Sequence, residues 1–313
     1  LDASKFYTDF ARIFSSFQTL TYSYRQLVTP EGIITMNMAS IFAESKQLPH
    51  IPRVVQELME SFRGDEHSID IDELSKKVAL DQSLTAKVLR LANSAHYGIP
   101  RTVANPHDAV MLLGFEKLRT MVLASGVTGA FNKIEGFDQN AFWKNYFGIA
   151  AVSKWIAEYV PGVDKETAFT CGMMHSVGDL LIRMFYPEEA MSIDKTEAMG
   201  SSHRHDLENV QLGYNYADVG AELAKRWKFP EVIQHSIAGQ NMSNDEQEFC
   251  AEAGIIFIAK YLKHAHDNNL NEDEILAGFP LSVAEKIGMD VNRAYKEIAA
   301  VGELHSGLDG LLE

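Results

Sequence analysis

The 313-residue sequence contains little cysteine, proline or glycine. Its two cysteines exclude a disulfide framework, and nine prolines and 21 glycines exclude collagen-like and proline-rich structures. We expect Cys171 and Cys250 to be reduced thiols in a core. Hydrophobic residues make up 46% and aromatic residues 10% of the chain, which is enough for a large core.

Basic charge is also scarce. The 28 Lys and Arg residues face 43 Asp and Glu residues, so the net charge is −15 with neutral histidine. Such a field repels nucleic acids and anionic membrane surfaces. Long apolar runs are missing as well, since the apolar stretch 146–152 is soon closed by Lys154. The sequence therefore predicts a cytoplasmic protein without a transmembrane helix.

Hydrophobic residues recur with helical spacing almost throughout, and no stretch alternates with period two between hairpin turns, so we predict an all-α protein. Two boundaries interrupt the pattern. Pro49 and Pro52 disfavour helix around residue 50, and a polar run follows Gln240. The predicted parts are an N-terminal helical segment (1–45), a helical body (46–242) and a C-terminal helical segment (243–313).

Residues 71–95 form the first candidate site, because two short predicted helices meet at Asp81 as in a DNA-binding helix-turn-helix. Asp81 would cap the second helix, whose buried stripe is Leu84, Val88 and Leu91. Only Thr85, Lys87 and Arg90 remain as possible readers of DNA. The stretch holds four basic and three acidic residues, too small an excess to neutralise phosphates. An ordinary helical hairpin is the favoured interpretation.

The second candidate is His175, near the middle of an apolar stretch predicted to be helical from 165 to 185. The imidazole is either a metal ligand or a core residue held by one hydrogen bond. Asp179 lies four residues later and could share its helix face, as a second ligand or as the hydrogen-bond partner of the ring. Two ligands do not make a strong metal site, and Ser176 is a poor ligand.

Two histidine pairs form the third candidate. His203 and His205 stand in a polar stretch, and His264 and His266 stand at the end of a predicted helix. In a helix, side chains two positions apart diverge. We therefore expect solvated surface residues at both places rather than metal ligands.

The order of motifs resembles the HDOD family, the HD-related output domains of bacterial signalling proteins. The resemblance covers residues 46–242 and is carried by segments 48–52, 78–95, 109–119, 142–143, 172–181 and 218–230, of which Leu-Arg-Leu-Ala-Asn-Ser-Ala and Trp-Lys-Phe-Pro are the most specific in combination. It implies an all-helical bundle of the HD-domain, phosphodiesterase-like type. It also implies a regulatory or protein-interaction role more often than catalysis.

The sequence departs from the metal-binding pattern of the true HD hydrolases. Those enzymes have His-Asp where this chain has His175-Ser176, and an upstream His near Asn145. Many relatives also have a His at Tyr216 and a His-His pair near Gln240-Asn241. The vestigial positions are therefore Asn145, His175, Ser176, Tyr216, Gln240 and Asn241, and only one of them keeps an imidazole.

Without that carboxylate and those imidazoles, a two-metal hydrolase centre lacks its donors. The sequence therefore predicts no catalytic residue, bound metal or cofactor, and a non-enzymatic module that binds signalling proteins in a bacterial pathway. One alternative is a metal-dependent HD-type phosphohydrolase or phosphodiesterase whose ligands come from Asp179, His203, His205 or His235. The second alternative is DNA binding through residues 71–95.

Overall fold

The computed structural model describes residues 38–43, 48–61, 71–98, 100–198, 203–242, 249–304 and 306–312. These residues form α-helices and short 3₁₀ turns, and none of them is in a strand, which confirms the all-α prediction. Of the N-terminal helical segment predicted for residues 1–45, all but residues 38–43 lies outside the described residues. The helices are α1 Met38–Ala43, α2 Arg53–Ser61, α3 Ile71–Ala79, α4 Gln82–Ala92, α5 Pro106–Leu113, α6 Phe115–Ala130, α7 Gln139–Ala157, α8 Lys165–Met174, α9 Val177–Phe185, α10 Pro187–Ala198, α11 Arg204–Leu212, α12 Tyr216–Arg226, α13 Glu231–Gly239, α14 Ala251–Asp267, α15 Glu272–Ala277, α16 Leu281–Lys286 and α17 Val291–Tyr295.

Polar side chains cap the start of many helices, because the first backbone N–H groups of a helix have no partner within it. Asp81 accepts a hydrogen bond from the Leu84 amide, as predicted. Asn215 and Asp218 form a reciprocal capping box at the start of α12. These caps place the helix starts close to where the sequence pattern predicts them.

The first half of the described chain packs around α4 and α6. The predicted stripe of α4 is confirmed, since Leu84, Val88 and Leu91 are buried. The indole N–H of Trp227, far along the chain, donates to the Pro49 carbonyl at 3.0 Å. This hydrogen bond joins the two ends of the helical body, so α12 and the segment before α2 belong to one packed unit.

The predicted continuous helix 165–185 is wrong. The chain leaves helical geometry at His175-Ser176, which separates α8 from α9. Helix α9 then crosses α12 with its backbone almost in contact, because a Cβ on Gly178 would lie 2.0 Å from the Tyr216 carbonyl oxygen. Only glycine allows this approach. The crossing places Tyr216 beside the break that carries His175.

The C-terminal helices share a core with α7. Ile149, Val152 and Ile156 of α7 pack with Ile258 and Leu262 of α14, and apolar residues of α15, α16 and α17 extend the same cluster. Helix α14 is thereby fixed against α7, α8 and α13. Within the described part of the chain, no helix has both the length and the apolar character required to span a membrane.

Candidate functional site

His175 lies in the break between α8 and α9 and is only 2% exposed. Its Nδ1 donates to the Gly172 carbonyl at 2.6 Å, and the Tyr146 ring packs edge-on at 4.6 Å. Burial and the positive charge of Lys260 lower the pKa of His175 to about 3. The imidazole is therefore a neutral core group whose hydrogen bond goes to the backbone. Asp179, which the sequence suggested as its partner, faces other residues.

Three of the vestigial positions, Tyr216, Gln240 and Asn241, come together around a residue that the sequence analysis did not select. The ammonium Nζ of Lys260 donates to the Tyr216 hydroxyl at 2.9 Å and to Asn241 Oδ1 at 2.8 Å. Its contact with Gln240 Oε1 is longer, at 3.5 Å. Gln240 also donates through Nε2 to the His175 carbonyl at 2.5 Å, which ties the group to the helix break.

Lys260 comes from α14, in the predicted C-terminal segment. Burial without a neighbouring negative charge lowers the pKa of its ammonium to about 8. The lysine is thus still mostly charged at neutral pH. A sequence signal exists, because Lys260 is the only charged residue in the apolar stretch 253–262 of α14. The sequence does not indicate which residues contact this lysine, because its hydrogen-bond partners lie 19 to 44 positions away along the chain.

The remaining vestigial residues are placed differently. Ser176 precedes α9, is buried and lies within hydrogen-bonding reach of the Tyr146 hydroxyl. Asn145 is exposed on α7 and lines a cavity of about 450 Å³ with Lys144, Lys263 and His266, among others. Tyr146, one residue further along α7, packs on His175. The structure therefore brings five of the six vestigial positions to one locality and leaves Asn145 on another face.

A cluster of buried charges lies beside this locality. Arg204 Nη2 contacts Asp179 Oδ1 at 2.7 Å, and Arg204 Nε contacts Glu208 Oε1 at 2.9 Å. Arg183 and Arg204 both contact Asp194, at 2.7 and 2.6 Å. Burial raises the pKa of Glu208 to about 8 although Arg204 opposes the shift. We call Arg183, Arg204, Asp179, Asp194 and Glu208 the arginine cluster; within it, each arginine contacts at least two carboxylates.

The two candidate histidine pairs belong to no group of three metal-ligating side chains within the described residues. The rings of His203 and His205 are stacked at 5.8 Å between centroids, contrary to the expected divergence, because His203 precedes the helix and is extended. His205 is half-buried, and burial together with the charges of Lys260 and His203 lowers its pKa although Asp206 raises it. His264, His266 and His235 are exposed. Within the described ranges, no three His, Cys, Asp or Glu side chains are arranged to hold a metal ion.

In the hairpin α3–α4, two of the three possible DNA-reading residues are partly buried, and the third is exposed. Thr85 Oγ1 donates to the Val78 carbonyl at 2.8 Å, and Lys87 is half-buried beneath α6, with Nζ 2.6 Å from the position of a Cβ on Gly129. Arg90 is exposed. Of the three residues named from the sequence, one is thus freely available to a phosphate or a base edge.

Taken together, the described helices define an all-α protein with an HD-like fold, and the buried His175 lies at the centre of its candidate site. Residues 48–242 match the HDOD domain, so the chain belongs to the HDOD family. Among solved structures, it is similar to a Shewanella amazonensis protein provisionally named a phosphohydrolase, with 33% identity, a TM-score of 0.71, and coverage of 88% of this chain and 98% of the other.

Two further solved structures share the fold. A Geobacter sulfurreducens HDOD protein of unknown function has 23% identity and a TM-score of 0.66, with 86% and 97% of the two chains covered. A Marinobacter aquaeolei protein, provisionally named a signal transduction protein, has 18% identity and a TM-score of 0.70, with 95% and 66% covered. An uncharacterized Treponema pallidum protein is 22% identical over 220 residues; the match covers 68% of this chain but 42% of that relative.

Proposed function

We propose that this HDOD protein is a non-catalytic signalling module that acts by binding other proteins. The observation that carries the proposal is the Lys260 ammonium, which lies among Tyr216, Gln240 and Asn241. In the family pattern those three positions correspond to histidines of metal-binding relatives. Here their side chains act as neutral hydrogen-bonding partners of a cation that the protein itself supplies.

Charge explains why this arrangement disfavours a catalytic metal. A divalent ion about 4 Å from the ammonium would be repelled by roughly 8 kcal/mol at an effective dielectric constant of about 20. Catalytic metal sites instead gather carboxylates and imidazoles. Asp179 and Glu208 are buried carboxyl groups whose charges act on Tyr216, and both are engaged by Arg204.

Elemental analysis of the purified protein, with assays on phosphodiesters and nucleotides in Mn²⁺, Fe²⁺, Ni²⁺ and Zn²⁺, tests the non-catalytic half. We expect substoichiometric metal and no turnover above buffer. Stoichiometric metal together with turnover would contradict the proposal.

The partner-binding half needs a separate experiment. We expect the whole folded chain to capture a bacterial signalling protein that the heat-denatured chain does not capture. Titration of the purified candidate should then give saturable binding. A folded chain that shows no saturable binding to any captured protein would count against this half.

A metal-dependent phosphohydrolase is the second candidate function. It is favoured by the provisional name of the Shewanella protein that is 33% identical to this chain. The two functions differ in one residue-level expectation. If the chain were a hydrolase, Lys260 would have to move away from Asn241 and Tyr216 before a metal could bind.

A further inference from the structure

We infer that the Lys260 site binds a small oxyanion, a phosphate or a carboxylate group of phosphate size. The inference concerns the site on which the proposed function rests, and it adds a class of ligand for that site. Three independent features support it. They are an unmatched buried cation, an unused buried hydrogen-bond donor beside it, and a partly open, conformationally fixed rim.

Lys260 is an unmatched cation among the described residues. Its close contacts are with a hydroxyl and an amide oxygen, and no carboxylate of the described ranges forms an ion pair with it. The nearby carboxylates are used elsewhere, since Asp179, Asp194 and Glu208 contact Arg183 or Arg204. A buried ammonium without a counter-charge is costly, and an incoming anion would remove much of that cost.

The positive charge of Lys260 also reaches the imidazoles on either side. It contributes to the lowered pKa of His175 and to that of His205. Both rings are therefore poor additional cations at neutral pH, and Lys260 is the principal charge that the anion would meet.

Two donors point to an oxyanion rather than to a simple halide. Asn241 Nδ2 is buried and has no hydrogen-bond partner in the part of the chain that the structure describes. The third contact of Lys260, to Gln240 Oε1, is 3.5 Å long and therefore weak. An anion with two oxygens could accept a hydrogen bond from Asn241 Nδ2 through one oxygen. Its other oxygen could accept a hydrogen bond from the third N–H of the Lys260 ammonium.

The rim of the site is partly open and locally constrained. Lys260, Asn241 and His205 are each half-buried, so the site is not sealed from solvent. Directly after Asn241, Met242 has a φ of +52°, a left-handed conformation that is uncommon for a residue other than glycine. The Met242 N–H donates to the Gly239 carbonyl at 3.2 Å, so a closed turn after α13 holds Asn241 in place.

Isothermal titration calorimetry of the full chain with inorganic phosphate and, separately, with acetate tests this inference. The titrations are made in a chelator-containing buffer of low anion content near pH 7. We expect at least one of the two anions to bind saturably. The anion that binds more tightly indicates whether the natural ligand carries a phosphate or a carboxylate group. Lys260→Met should weaken binding by about 10- to 100-fold, as expected for loss of one charge-assisted hydrogen bond.

Two further variants keep the result interpretable. Lys263→Met removes a lysine from the same helix that is paired with Asp267, and it should leave binding unchanged. Lys260→Arg keeps the charge and should retain measurable binding if the fold is intact by circular dichroism. Absence of binding by both anions, or equal binding by wild type and Lys260→Met, would overturn the inference and leave the non-catalytic proposal standing. Metal-dependent turnover would instead contradict the non-catalytic proposal. Anion binding by wild type and by Lys260→Met would still decide whether the Lys260 site binds an oxyanion.

Discussion

Two neighbouring polar clusters of this protein solve the problem of buried charge in opposite ways. In the arginine cluster, Arg204 contacts Asp179, Asp194 and Glu208, so its cation is surrounded by carboxylates. Around Lys260, the acceptors that the described residues supply are neutral oxygens. At pH 7 Glu208, with a pKa of about 8, is mostly protonated, so in the arginine cluster two arginines face two aspartates, whereas Lys260 has no carboxylate partner among the described residues. Both clusters lie next to α9 and α12.

This difference in charge balance indicates that the arginine cluster stabilises the fold, whereas the Lys260 site does not. A matched buried network is costly to break, because removing one partner leaves the others charged and unsolvated. An unmatched cation reduces stability, and its retention needs another explanation. We therefore expect substitutions in the two clusters to change stability in opposite directions.

The largest expected effect is in the arginine cluster. Arg204→Met leaves the buried Asp179 without its closest cation, and we expect it to lower the free energy of unfolding by about 3–5 kcal/mol, whereas Glu208, with a pKa of about 8, can stay protonated. Urea denaturation at pH 7 measures the loss. The matched control is Arg53→Met, which removes an exposed pair with Glu57 and should cost less than about 0.5 kcal/mol. Equal losses of unfolding free energy in the two variants would mean that the arginine cluster stabilises the fold no more than an exposed ion pair does.

The next effect concerns His175 and acid. Its pKa is about 3 in the folded protein against an ordinary 6.5, so the unfolded chain takes up a proton first as the pH falls. The destabilisation caused by keeping this imidazole neutral in the folded protein is absent well above pH 6.5, and it grows as the pH falls toward 3. Between pH 6.5 and 5, the wild type should lose about 2 kcal/mol more than His175→Gln. Parallel pH dependence of wild type and variant, measured by urea denaturation, would refute the account of a neutral buried imidazole.

The smallest effect has the opposite sign. Lys260→Met removes the unmatched cation and should raise the free energy of unfolding at pH 7 by about 1–2 kcal/mol, less than the full pKa shift implies because the side chain is partly exposed. The folded pKa of about 8 lies below the ordinary 10.5, so the penalty is complete below pH 8. The difference between variant and wild type should shrink as pH rises from 8 to 10.5. A destabilised Lys260→Met protein at pH 7 would mean that the cation is compensated after all.

Sequence reasoning recovered features that depend on neighbouring residues. The cap at Asp81 and the stripe Leu84, Val88 and Leu91 follow from spacing, because a helix start and a helix face are local properties. The vestigial positions came from family resemblance. The division into segments 1–45, 46–242 and 243–313 and the absence of a catalytic residue, metal or cofactor stay predictions.

What the sequence did not reveal depends on long-range contacts. The apolar periodicity continues through 165–185, and nothing local marks the break at His175, which is stabilised by Gln240 from α13. Lys260 looks like an isolated charge on an apolar helix until α14 packs beside α13. Spacing also left open whether Asp179 is the hydrogen-bond partner of His175; in the structure Arg204 from α11 contacts that carboxylate, and the imidazole bonds to the Gly172 carbonyl.

We propose that Lys260 occupies the place where HD-type relatives hold metal. A crystal structure from crystals grown with Mn²⁺, with anomalous data collected near the manganese edge, can decide this. We expect Lys260 Nζ to contact the Tyr216 hydroxyl and Asn241 Oδ1, with no anomalous peak beside His175. A manganese peak ringed by protein donors there, with Lys260 turned away, would contradict it.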